Sequence, residues 1–171
     1  MADTLNTTVS ASVAWARTEA LDLGNVVDSN SLKYSATMAD GTSASQADKV
    51  WHDERTLAAS ANDDLDLTAL TQSIYGSTVT TSFAKVKGIL IVVTTTTTAY
   101  YLTVGAAASA EWTAPFNAAG DKVKVGANSA LLLSSIVDGW AVTDTSADTL
   151  RISNPSAGSV TYRITIWGTS A

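Results

Sequence analysis

The sequence predicts an all-β protein, a jelly-roll-like antiparallel β-sandwich of about eight strands carrying an extended N-terminal arm. Short stretches of alternating or β-branched apolar residues recur from Leu65 to Gly168. Between them lie turn formers: Ala119-Gly120-Asp121, Gly126-Ala127-Asn128, Asp138-Gly139 and Asn154 to Gly158. The run Val86, Ile89, Leu90, Ile91, Val92, Val93 is the densest apolar stretch and fits a strand covered on both faces. Eight short strands with such punctuation and no helical partner point to a sandwich or barrel, of which the jelly roll is the commonest eight-stranded form.

Taken in order, Leu5, Thr7, Val9, Ala11, Val13 and Trp15 alternate with small and polar residues, the period of a strand. Residues 17–31 carry Gly24, Asn25, Asp28 and Asn30 without a clean period and read as a linker or extended arm. Leu32, Tyr34, Ala36 and Met38 alternate again before Asp40-Gly41 turns the chain. Residues 1–45 are therefore expected to be an arm of one or two strands, and 46–171 the sandwich body. The arm either packs on its own body as an edge strand or pairs with a neighbouring subunit.

Ser45–Ser60 shows neither a helical nor a strand period and is expected to be an irregular or short-helical bridge. Eight strands follow: one opening at Leu65 and closed by Gly76, then 85–93, 100–105, 122–125, 130–137, 140–143, 149–153 and 160–168. The polar run Thr94–Thr98 connects the second and third of these. In the last strand Val160, Tyr162, Ile164 and Ile166 face the core, which puts Trp167 on the solvent or partner side.

A chain of 171 residues is long enough to bury a core without staples, and with no cysteine it uses no disulfide. The net charge of -6 and scattered Lys and Arg argue against a nucleic-acid partner. No apolar run approaches the ~20 residues of a membrane span, and Met1–Ser12 lacks the pattern of a secretory signal, so a soluble protein made in a cytoplasm is expected. Charged residues make up only 15%, a composition suited to surfaces that neighbours cover.

The residues offer little chemistry. His52 is the single histidine and no cysteine or G-x-S-x-G elbow accompanies it, so neither a nucleophilic triad nor zinc is expected, and His52 reads as a surface or bridging residue. Asp63, Asp64 and Asp66 could offer oxygens to calcium, but lack the glycine and distal glutamate of an EF-hand loop. Nothing pairs two carboxylates locally as a glycosidase requires. No catalytic residue, cofactor or metal is assigned. Trp51, Trp112, Trp140, Trp167, Tyr100 and Tyr101 could form a stacking platform for sugars, which keeps a carbohydrate-binding or host-adhesion module as the alternative function.

Gln46-Ala47-Asp48-Lys49-Val50-Trp51, then Arg55 to Ser60, Asp64-Leu65-Asp66-Leu67, Phe83 to Lys87, Val104 to Ala107, Gly139-Trp140, Asp148-Thr149-Leu150 with Asn154, and Val160 to Ile166 resemble small head proteins of tailed bacteriophages, the capsid decoration or cement proteins. The resemblance covers most of the chain from Gln46 onward. It implies a jelly-roll-like body, an N-terminal arm, assembly into oligomers, with a homotrimer as the family habit, and attachment of a non-enzymatic protein to the major capsid protein on the head surface. A neck or tail component would carry the same fold. On this reading Leu5, Val9, Val13 and Trp15 in the arm, Trp51 and Arg55 in the bridge, and Trp167 are the expected capsid or subunit contacts.

Overall fold

The computed structural model describes residues 4–171. It is all-β, with about 60% of the chain in strands and no helix among the described residues. Thirteen strands among the described residues form several antiparallel sheets. The first two, β1 (Thr7–Leu21) and β2 (Gly24–Met38), pair only with each other, from Thr7 opposite Met38 to Leu21 opposite Gly24.

The body is sandwich-like. One sheet orders β10 (Ala130–Ser134), β7 (Lys85–Val93), β13 (Val160–Thr169) and β3 (Lys49–Leu57), and the two-residue β11 (Trp140–Ala141) also pairs with β7. The other orders β4 (Asn62–Asp66), β12 (Thr149–Ser153), β8 (Tyr101–Gly105) and β9 (Lys122–Gly126). A short hairpin of β5 (Leu70–Ile74) and β6 (Ser77–Thr81) lies beside β3. The core draws on both sheets, with Trp51, Ile89, Ile91, Ile164 and Ile166 from the first and Leu65, Leu102, Val104, Leu150 and Ile152 from the second. Each set recurs at every second residue of its strand, so burial of these side chains fixes the register of both sheets.

Three expectations are corrected. Residues 49–57 are neither irregular nor helical but a regular edge strand, β3, because Trp51 and Leu57 face the core while His52, Glu54 and Thr56 face out. Of the two readings of residues 17–31, the linker is wrong and the extended arm holds; they complete the arm as a hairpin closed at Asp22-Leu23. The segment from Leu65 to Gly76 holds two strands, with Tyr75-Gly76 forming the turn into β6.

The strands flanking the threonine run belong to different sheets, so Thr94–Thr98 carries the chain across the sandwich. Thr94 donates its backbone N–H to Thr161 O at 3.0 Å, and Thr95 Oγ1 accepts from Thr161 N at 2.8 Å. At the same end of the fold, where Val160 pairs with Leu57, Asn154, fully buried, donates Nδ2 to the carbonyls of Leu57, Ala58 and Gly158 and accepts from Ser156 N. One amide thus ties the end of β3 to the turn between β12 and β13.

Candidate functional site: the amphipathic arm

Fifteen residues in each strand make the β1–β2 ribbon ~50 Å long at ~3.4 Å per residue. Residues opposite each other in register share a face, so the ribbon has two distinct sides. One side carries Val9 with Ala36, Ala11 with Tyr34, Val13 with Leu32, Trp15 with Asn30, Arg17 with Asp28, Glu19 with Val26, and Leu21 with Gly24. The other carries Ser10 with Ser35, Ser12 with Lys33, Ala14 with Ser31, Ala16 with Ser29 and Thr18 with Val27. The first side is mostly apolar and the second mostly hydroxyl-bearing or small.

At its base the apolar side is covered. Val9 and Met38 pack with Ala47 and Trp167, and Leu5, Val50, Leu90, Leu132 and Ile136 join them. These body residues belong to the outer surface of the β10-β7-β13-β3 sheet, the side away from the main core. Hydrogen bonds reinforce the joint: Leu5 N donates to the Asp40 carboxylate Oδ1 at 3.1 Å, and the backbone joins Ala47 N to Ala39 O at 3.0 Å and Asp48 N to Gly168 O at 3.1 Å. Beyond Val9 every residue of β1 is exposed, with Val13 at 64%, Trp15 at 46% and, across the ribbon, Leu32 at 71%. The face that is core at the base runs on outward as open surface.

The structure separates the sequence-predicted contact residues into three places. Val13 and Trp15 stand on the open apolar face of the arm. Leu5, Val9 and Trp167 meet in the joint at its base. Trp167 was expected on the solvent side, and it does point outward from the sandwich, but the arm covers it and leaves it only 4% exposed. A β-bulge between Trp167 and Gly168 marks its row, and neither Trp167 Nε1 nor Ser134 Oγ, both on the row that includes Gly88, has a protein hydrogen-bond partner.

Trp51 and Arg55 lie in the body. Trp51 is fully buried and donates Nε1 to Thr71 O at 3.1 Å, which fastens the β5–β6 hairpin to β3. Arg55 sits 5.4 Å from the centroid of the Trp51 ring and bonds Asp53 at 2.8 Å and both oxygens of Asp63 at 2.8 and 2.9 Å. Burial works to lower the Arg55 pKa, yet the bonds to Asp63 and Asp53 outweigh it and raise it. Tyr162 donates to Asp63 Oδ2 at 2.6 Å; burial, and then the Asp63 carboxylate, push its phenol above the ordinary value of 10. The cluster is a structural lock between β3, β4 and β13.

The other candidate groups are similarly engaged. Asp64 takes Arg151 at 2.6 and 2.7 Å, and Asp66 accepts from Thr68, so the three aspartates serve the strand entry. His52 and Glu54 line an open cleft of about 530 Å³ between β3 and the β5–β6 hairpin, where Glu54 pairs with Arg163. Of the sugar-platform tryptophans, Trp51, Trp112 and Trp167 are buried, and Trp140 packs edge-on against Trp112 with ring centroids 6.2 Å apart. Tyr101 lies under Lys124 Nζ at 3.9 Å. These rings do not form a common open platform.

Sequence reading missed Leu21, Val26, Leu32 and Tyr34 as partners of Val13 and Trp15. The alternation of Leu32, Tyr34, Ala36 and Met38 was the available signal, and the hairpin register that places it beside β1 was not. No protein-family model matches the chain, and no curated protein matches it either.

Proposed function

We propose that this chain is a non-enzymatic virion structural protein that decorates the outside of a tailed-phage head and reinforces its lattice. It would be made in the host cytoplasm and assemble, as a homotrimer, on the major capsid protein. The observation that carries this reading is the arm: a ribbon ~50 Å long, free of its own body beyond the first pairs, offering two unpaired strand edges and one apolar face. Such an element serves to reach and pair with a neighbour. Strand addition along its edges, repeated at many sites on a lattice, sums weak contacts into a firm attachment.

The jelly-roll form of the body belongs to the same proposal. It is supported by the nesting of the strands, β3 with β13, β4 with β12, β7 with β10 and β8 with β9, as if one long hairpin had been rolled up across two sheets. That form is common among capsid proteins and lectins alike, so the arm and not the body decides between them.

The test is addition of purified protein to expanded phage heads that lack it. Saturable co-sedimentation of the full chain is expected. A variant in which residues 11–34 are replaced by Asn-Gly keeps the base pairs of the ribbon, should fold, and should stay in the supernatant. Heads that bind the shortened form as well as the full chain would remove the arm from the mechanism. A full chain that ignores heads and binds a glycan array would replace the proposal with the adhesion module.

A further inference from the structure

We propose that the apolar face of the arm packs against the same face of another copy of this chain, making the ribbon the element of self-association. A two-stranded ribbon is marginal in water by itself and needs a cover on its apolar side. Here the cover is supplied at the base by the body and stops after Val9. From Ala11 outward the face is open, wholly apolar through Val13 and Leu32 and then mixed, with Trp15, Val26 and Leu21 beside Asn30, Arg17, Asp28 and Glu19.

A second copy fits this face on two counts. The pairs alternate large against small, Tyr34 beside Ala11 and Trp15 beside Asn30, which gives a ridged surface able to interdigitate with its own kind. The exposed parts of Val13, Trp15, Leu21, Val26, Leu32 and Tyr34 come to on the order of 600 Å² per arm, so two faces together reach roughly 1,200 Å², the lower bound for a specific interface. The hydroxyl-rich side and the two edges stay free for other partners. The inference stands whether or not the chain belongs to a phage head.

The experiment needs no heads. The full chain, the double variant V13S/L32S, and the control variant S12T on the opposite face are compared by light scattering behind size exclusion over a wide concentration range, with acrylamide quenching of tryptophan fluorescence. Trp51, Trp112 and Trp167 are buried and Trp140 is half-buried against Trp112, so quenching reports chiefly on Trp15. The full chain and S12T are expected to be oligomers with a protected Trp15. V13S/L32S is expected to be a monomer with a quenchable Trp15 and an unchanged unfolding midpoint of the body, because both positions are exposed in the single chain. A full chain that stays monomeric at every concentration would overturn the proposal and leave the face to a different protein. So would a V13S/L32S variant that keeps the oligomer.

Discussion

Trp167 lies directly over Gly88 on the outer surface of the main sheet, and a methyl group at position 88 would overlap its six-membered ring. The two are neighbours across β13 and β7, and the missing side chain on β7 is what gives the indole a seat. Val9 and Met38 then close over the indole, so the arm is mounted on a tryptophan that is itself mounted on a glycine.

Gly88→Ala should therefore loosen the arm without dismantling the sandwich. Overpacking of this kind costs about 1–3 kcal/mol. The expected result is a lower urea midpoint together with faster proteolysis between Ala39 and Asp48, while the far-UV spectrum stays that of a β protein. A variant as stable and as protease-resistant as the parent would show that the indole has another place to go.

Asn154 makes the sharper test of the body. Its Nδ2 supplies three carbonyls and its Oδ1 holds Ser156 N, all within a region closed to water. Asn154→Ala strips these bonds and leaves buried acceptors short of donors, at about 2–4 kcal/mol. Equilibrium unfolding measures this directly, and Asn154→Asp, which cannot donate from the side chain, should be no better.

Alkaline pH should weaken the fold through Tyr162. Its phenol is held above the ordinary value of 10 by burial and by donation to Asp63. Below pH 10 the tyrosine is protonated in both folded and unfolded chains, and its contribution is fully present. As pH rises past 10 the unfolded chain ionises and the folded one does not, so this contribution falls away. Tyr162→Phe should be less stable at pH 7 by about 1 kcal/mol, the net worth of one hydrogen bond, and the gap should narrow above pH 10. Unfolding curves collected from pH 7 to 11 would reveal a gap that widens instead, which would place the titration elsewhere.

Much of the body was legible because a strand with one face in the core writes its period into the sequence. Val160, Tyr162, Ile164 and Ile166 do so, and β7, β8 and β12 lie where their patterns put them. β3 was obscured by His52, Glu54 and Thr56 alternating with the polar Asp53 and Arg55, since the inward-facing charges form the Asp63 cluster and look in sequence like solvent-facing residues. The arm was half legible. Its first strand alternates cleanly, but the outer part of the ribbon touches no core, so nothing obliged residues 17–31 to keep the period. The hairpin turn at Asp22-Leu23 also lacks the Asn-Gly or Asp-Gly signature that announces two-residue turns. Trp167 was read correctly as facing away from the sandwich core; what the sequence did not reveal was that the arm returns to cover it.

The extended form of the arm also has a mechanical meaning. Both strands leave the body at the same end and join at Asp22-Leu23, so a pull on the tip stretches two backbones that are already near full length. Tension then runs along covalent bonds, and the cross-strand hydrogen bonds, perpendicular to it, are not sheared against one another. The ribbon acts as a tether with almost no slack, and under load the seat of Trp167 or the grip at the far end gives way before the ribbon lengthens.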